Sequence, residues 1–423
     1  MRVSFSEFMQ TVTVETAFSV LAVARQLKAR GKDVIELEIG DSPFRSTSAA
    51  KRRGIEAIQA DQTHYCPSAG LPEVRQAIAN FMREDYGLDI SAANVVIGPG
   101  AKIFELLFCE VFLDRGDGVL VFSPYFPTYL PNIARRGGRV WLSDLRQQRA
   151  FRPNLDDVER FLREDGQPKA IFLNSPHNPT GGTATLEDLE QLAHLIRGRD
   201  IAVFSDEPYD RMVWQGSHHT LLGREGMLDQ CVAAYTFSKS YSMSGWRLGY
   251  SVSSVEVAEM LSKLINTSLS CVPPPVQLAG AAALGEDAAE RDRAMRDFRE
   301  KVQLLANGMN QIDDVRCLMP GGTFYVFPNV APICNRLGIT SHGLAMYLLE
   351  AADDERGVAC LGGECFGDAG AGFLRFSCAE PNDRLRQALD FLPRAFDRAD
   401  RVASYLDQNP HFRLAEPYVM PAD

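Results

Sequence analysis

Ala170-Ile171-Phe172-Leu173-Asn174-Ser175-Pro176-His177-Asn178-Pro179-Thr180-Gly181 is a short apolar run that stops at a cluster of amides, prolines and a glycine. Four apolar residues in a row, without polar alternation, suit a strand covered on both faces, as in a parallel sheet flanked by helices. The design repeats. Ile201-Ala202-Val203-Phe204 ends in Ser205-Asp206-Glu207-Pro208-Tyr209, and Val232-Ala233-Ala234-Tyr235 ends in Thr236-Phe237-Ser238-Lys239. Val95-Val96-Ile97 and Val119-Leu120-Val121-Phe122 are two further runs. Between the runs at 170 and 201, Leu186, Leu189, Leu192, Ala193 and Ile196 recur at helical spacing, with Thr185 to cap the start and Gly198 to stop it. From about Asn94 to Ser254 the chain therefore reads as βα units, which predicts an α/β fold with a largely parallel sheet.

Outside that stretch the texture changes. A helix is expected over Phe18 to Ala29, and after about Arg299 come a helical stretch through Lys301 to Met309, a strand-like Thr323-Phe324-Tyr325-Val326-Phe327, a helix near 342 to 352 and a strand at Phe373 to Cys378. This reads as a separate α+β unit. Gln408 to Asp423, rich in Pro and polar residues, is expected to be a mobile or partner-draping tail.

A chain of 423 residues is long enough for two packed units with a large core. With 45% hydrophobic and 23% charged residues the composition is globular, which argues against disorder or a small disulfide scaffold. Lys+Arg 44 against Asp+Glu 55 gives a net charge of −11, so the long-range field disfavours nucleic acid or an anionic membrane as partner. The nine cysteines are an odd number without any CxxC, which reads as reduced core residues of a cytoplasmic protein. No segment approaches the roughly 20 apolar residues that span a bilayer, and no metal-ligand cluster is evident.

Reactive groups in open α/β sheets gather beyond the carboxyl ends of the strands. The residues that end the runs would put an amide, a carboxylate, a phenol and an amine on one edge: Asn178, Asp206, Tyr209 and Lys239. The run at 95 passes through Gly98-Pro99-Gly100-Ala101-Lys102 into an apolar helix, Ile103 to Leu113, leaving free backbone N–H groups at a helix start, a turn able to hold a phosphate. It lacks the patterns of a P-loop or a dinucleotide fold. Arg247, eight residues beyond Lys239, can return to the same edge as a cation for that phosphate.

The sequence resembles the class I/II aminotransferases of the fold-type I pyridoxal 5'-phosphate enzymes, those related to aspartate aminotransferase. The likeness runs from about Gly40 to Ala379, through Tyr65-Cys66-Pro67-Ser68-Ala69-Gly70-Leu71-Pro72, Asn178-Pro179-Thr180-Gly181, Asp206 to Tyr209, Ser238-Lys239, Gly245-Trp246-Arg247-Leu248-Gly249 and Arg375-Phe376-Ser377. Several motifs in the right order are far more specific than any one. The resemblance implies a large cofactor-binding domain, residues 46–298, with a mostly parallel seven-stranded sheet between helices. Residues 1–45 and 299–423 would form the smaller α+β domain.

It also implies roles. Lys239 would form the aldimine with the cofactor and shuttle the α-proton, which requires a neutral, desolvated amine. Asp206 would pair with the pyridine nitrogen and keep the ring an electron sink. Asn178 and Tyr209 would bond the cofactor's phenolic oxygen, and Phe126 would stack on its face. The phosphate grip would comprise the turn at Gly100, the backbone of Ala101 and Lys102, the hydroxyls of Thr236 and Ser238, and Arg247, with Tyr65 reaching across a homodimer interface into a shared site. Arg375 would take the substrate α-carboxylate in a two-pronged bridge, alongside Gly40 and Asn178.

Taken singly, each residue has a plainer reading: a solvated lysine at a strand end, a turn aspartate, a turn-forming asparagine, a core phenylalanine, a surface arginine. Arg375, however, sits inside an apolar strand where an unpaired charge is costly. Two stretches depart from the family pattern, Gly40-Asp41-Ser42-Pro43-Phe44 and Leu361-Gly362-Gly363-Glu364-Cys365-Phe366-Gly367. Glu364 is either a solvated loop charge or a pocket carboxylate for a basic substrate; Phe18 and Lys102 are the other side-chain candidates. The activity implied is transfer of an amino group between an L-amino acid and a 2-oxo acid. The same cofactor also serves lyases and cyclases, and a non-catalytic regulator is a third possibility.

Overall fold

The computed structural model describes residues 3–6, 8–9, 12 and 15–419. After a helix over Thr16–Ala29 comes β1 (Asp33–Glu36), then β2 (Val95–Gly98), β3 (Gly118–Ser123), β4 (Arg139–Asp144), β5 (Pro168–Asn174), β6 (Ala202–Asp206), β7 (Cys231–Thr236) and β8 (Gly249–Val252). The last four strands are β9 (Tyr325–Val326), β10 (Arg356–Ala359), β11 (Leu361–Gly362) and β12 (Leu374–Ser377).

Strands β2 to β8 form one seven-stranded sheet in the order β2-β8-β7-β6-β5-β3-β4. The β3–β4, β3–β5, β5–β6 and β6–β7 pairs are parallel, whereas β8 runs antiparallel to both its neighbours. All five apolar runs are strands of this sheet, buried along nearly their whole length by helices on both faces. The two strands that show no such run are explained by position and composition. β4 is the edge, with Val140 and Leu142 partly exposed, and β8 is short and carries Gly249 and Ser251 among its four residues. The helix Leu186–Ile196 is capped by Thr185, which accepts from the Asp188 N–H, and Gly198 follows its end at φ +73.

A second hydrophobic core gathers β9, β10 and β12 with the helices Ala288–Met309, Ser341–Glu350 and Asn382–Phe396. The expected boundary at 298/299 falls inside the helix Ala288–Met309, whose Met295 and Phe298 already pack in this core. The strand expected at 323–327 pairs only over Tyr325 and Val326, opposite Ser377 and Phe376. Of the tail expected at 408–423 to be mobile or partner-draping, the described part lies on its own chain: Leu414 N donates to the Gly338 carbonyl, Tyr418 N to Asn335 Oδ1 and Tyr418 Oη to Glu364, while 420–423 lie outside the described residues. All nine cysteines are free, six of them buried. Among the described residues no helix is long and apolar enough to cross a membrane, and none of the His, Cys, Asp and Glu side chains form a group that could hold a metal.

Candidate active site

The register of the sheet brings the ends of four strands to one edge. Asn174 lies opposite Asp206, Asp206 opposite Ala234, and Gly98 and Thr236 both face Gly249. Over this edge opens a cavity of about 450 Å³. Its walls carry Gly40, Ala101, Lys102, Phe126, Asn178, Asp206, Tyr209, Thr236, Ser238, Lys239, Arg247 and Arg375. Twelve of the fourteen site residues expected from sequence thus meet around one space.

The other two stand beside it. Gly100, at φ +90, forms the turn, and a Cβ there would lie 2.5 Å from Arg247 Nη2. Only glycine suits both that backbone conformation and the approaching guanidinium. Tyr65 does not line the cavity of its own chain and is 90% exposed.

At the centre, Lys239 Nζ donates to the Gly40 carbonyl at 2.6 Å and lies 5.7 Å from the ring centres of Tyr209 and Phe324. Gly40 is needed for packing as well: a Cβ at this position would fall 1.8 Å from Tyr325 Oη. On the floor, buried Asp206 accepts a hydrogen bond from Tyr129 Oη at 2.5 Å. Burial lifts its pKa to about 6, against the pull of Tyr129. Beside it Glu105 accepts from Thr128 Oγ1 at 2.5 Å and from Asn132 Nδ2 at 3.3 Å. Burial, and then the charge of Asp206, push its carboxyl well above the usual range.

One end of the cavity gathers hydroxyls, a guanidinium and a helix start, groups able to hold an anion. Thr236 Oγ1 lies 2.8 Å from Ser238 Oγ, and Arg247 Nη1 and Nη2 donate to the carbonyls of Ser244 and Pro99. The helix Lys102–Phe112 starts at the same place, with its free N–H groups. At the other end Arg375, 4% exposed, donates to Asn178 Oδ1 at 3.0 Å and to the Glu38 carbonyl at 2.5 Å, with Tyr325 and Phe366 rings on it at 4.4 and 4.9 Å. Tyr209 Oη lies 3.1 Å from Tyr325 Oη.

Tyr129, Glu105, Tyr325 and Glu15 also line or floor the site but went unassigned from sequence. A phenol inside an apolar strand needs a polar partner, which is the signal Tyr325 offered. Both readings of Glu364 are corrected. Its carboxylate is taken up by the N–H and hydroxyl of Ser341 and by Tyr418 Oη, so it anchors the end of the chain and does not line the cavity. Lys102 is not free either: it forms an ion pair with Glu15 and lies 5.0 Å over the Phe126 ring.

The floor rests on a buried network. Glu207 accepts from Ser205 Oγ, Thr220 Oγ1 and Tyr235 Oη at 2.7 to 2.9 Å and lies 2.7 Å from His218 Nε2. Removing this carboxylate strands four partners at once. Glu207→Ala is accordingly expected to destabilise the protein by about 3–5 kcal/mol in urea unfolding.

Comparison with known proteins follows the same lines. The sequence profile of the family Aminotransferase class I and II matches residues 32–392. The aspartate aminotransferase of Thermotoga maritima is 32% identical over 379 residues, 90% of this chain and 96% of that one. A probable aspartate/prephenate aminotransferase of Aquifex aeolicus is also 32% identical, over 90% of this chain and 95% of its own. Among solved structures, the aspartate aminotransferase from Thermus thermophilus with maleate superposes with a TM-score of 0.86 at 29% identity, covering 93% of this chain and all of that one.

Proposed function

Since the chain belongs to the class I and II aminotransferases and is a pyridoxal phosphate-dependent transaminase, we propose that Lys239 is its reactive amine and that an acidic amino acid is its donor. The lyase, cyclase and regulator alternatives are not favoured, since the relatives are named as aminotransferases. The observation that carries the reading is the single cavity in which an amine, a buried acid and two arginines at opposite ends converge.

The residues fit the cofactor. Asp206 is a buried carboxylate whose one hydrogen bond comes from a neutral phenol, so a protonated ring nitrogen would supply the cation it lacks. The Gly100 turn leaves room for Arg247 where any Cβ would intrude. The backbone N–H groups of Ala101 and Lys102, the hydroxyls of Thr236 and Ser238, and Arg247 would hold the phosphate, Asn178 and Tyr209 the phenolic oxygen, and Phe126 the ring face. When bound, the cofactor supplies the carbonyl that takes the amino group and the ring that accepts electrons from the substrate.

The chain's own residues do the rest. Arg375 orients the substrate by its α-carboxylate, with Asn178 Oδ1 fixing the plane of the guanidinium. Lys239 Nζ, whose hydrogen bond goes to the non-basic Gly40 carbonyl, is placed to take the proton from the substrate α-carbon and hold it at Nζ. Tyr129 fixes the Asp206 carboxylate, which would face the ring nitrogen, and the Phe126, Tyr209 and Tyr325 rings would exclude water.

Lys102 lines the same cavity as Arg375 and supports a second carboxylate on the substrate. A distal carboxylate would replace Glu15 on Lys102, one anion for another. The 90% exposure of Tyr65, with Ile55 and Ile58 also exposed on the helix Ser48–Gln59, supports a homodimer in which Tyr65 serves the partner's site. The free cysteines support a cytoplasmic location.

The donor is tested on the holoenzyme without acceptor. Aspartate or glutamate is expected to release one equivalent of 2-oxo acid per cofactor, bleach the visible band and stop until a 2-oxo acid is added. Continued product or ammonia release without acceptor would overturn transamination. A marked preference for neutral or basic donors would remove the role given to Lys102.

A further inference from the structure

Glu38 stands in the alternating stretch Glu36-Leu37-Glu38-Ile39, yet it is 0% exposed. Leu37 N donates to the Ala359 carbonyl and the Leu37 carbonyl accepts from Ser377 N, so the segment runs on from β1 between β10 and the end of β12. Neither Glu38 carboxyl oxygen has a hydrogen-bond partner, and neither does Nε of Arg375, whose Nη2 donates to the Glu38 backbone carbonyl. The residue whose backbone carbonyl holds Arg375 thus carries a buried carboxyl with no hydrogen-bond partner, and the guanidinium keeps a donor to spare, with no direct ion pair between the two side chains.

The charged and titratable groups that face Glu38 are Glu36 on its own strand, Arg375 on β12, Glu380 beyond β12 and the buried Cys360 after β10. Burial raises the Glu38 pKa to about 7, with Glu36 and Glu380 pushing the same way and its own backbone N–H and Arg375 opposing. The hydrogen bonds Arg375 makes go to two neutral acceptors, the Asn178 amide and the Glu38 carbonyl. Ionised Glu38 is then the carboxylate available to balance the guanidinium while no substrate is bound. When a substrate carboxylate arrives, two anions share one cation inside a dry site.

We propose that Glu38 is a positioning residue that acts through Arg375, a counterion that takes up a proton when a substrate carboxylate binds. The sign follows from linkage. Binding favours protonated Glu38, so carboxylate affinity is highest where Glu38 is already protonated and falls as pH rises through its pKa. The inference rests on the reading of Arg375 as the carboxylate site, and the test separates the two.

Maleate, which has no amino group to react, is titrated into the holoenzyme from about pH 6 to about pH 9. The wild type is expected to lose about tenfold more affinity per pH unit above about pH 7 than Glu38→Gln, which keeps the neutral form throughout. Slopes from other groups are common to both proteins and cancel. Equal slopes would overturn the proposal.

An infrared difference spectrum of protein labelled with 13C-glutamate gives a check that does not depend on the variant folding: a protonated-carboxyl band should appear on adding maleate to wild type. Its absence would also overturn the proposal. Arg375→Ala is the control. If it binds maleate as wild type does, the carboxylate reading of Arg375 falls and Glu38 with it; if it binds weakly while the two slopes stay equal, Glu38 alone falls.

Discussion

Lys239→Ala is expected to lower kcat by about four orders of magnitude or more, while the folded protein still binds the cofactor through its phosphate end. The size of the effect follows from the absence of a substitute. Among the described residues the only other lysine lining the cavity, Lys102, is held by Glu15 over the Phe126 ring, and both arginines are poor proton carriers at neutral pH. The fold draws little from the Lys239 side chain, whose Nζ makes one hydrogen bond, to the Gly40 carbonyl. Loss of activity should therefore come without loss of the urea midpoint. Borohydride treatment gives a readout other than rate. In wild type it should fix the cofactor's mass to the peptide that contains Lys239, and in the variant to none. A variant that turns over normally, or a wild type labelled at another lysine, would end the assignment.

How much of this was legible beforehand depends on what each side chain's position is decided by. The inner strands were legible because burial on both faces forces an apolar run, and the residues that end those runs are placed by the strand itself. Asp206, Asn178 and Lys239 are therefore brought to one edge by the ends of these runs, and the family likeness gives them their expected roles. Tyr129 and Glu105 were not found, because their direction is set by packing of the helices Lys102–Phe112 and Tyr129–Arg135 against the sheet. Glu38 is the sharpest case. Ile35 to Ile39 alternates like a strand with one wet face, yet of its two glutamates only Glu36 stays partly exposed, while Glu38 is buried where the segment runs between β10 and β12, over three hundred residues on. Glu364 misled in the opposite way: it looked like a free loop charge because its partners, Ser341 and Tyr418, lie distant in sequence on either side.

Replacing Asp206 with Asn keeps shape and removes charge, which isolates the electrostatic part of the site. Asp206 is 6% exposed and ends an inner strand, so the swap is buried and rigidly placed. The amide oxygen still accepts from Tyr129, but it cannot balance a protonated ring nitrogen, and a neutral ring draws fewer electrons from the substrate. Asp206→Asn is expected to lower kcat by about a thousandfold, the scale of losing a preorganised charge at the reacting group. Tyr129→Phe should do less, since it removes one hydrogen bond to a carboxylate worth about 1.5–3 kcal/mol and leaves the charge. Gel filtration followed by the visible spectrum separates cofactor loss from slowed chemistry: both variants should keep the band when the cofactor is in excess, with single-turnover rates ranked wild type, Tyr129→Phe, Asp206→Asn. An Asp206→Asn rate within about tenfold of wild type would mean the carboxylate is structural and that the ring nitrogen takes its proton partner elsewhere.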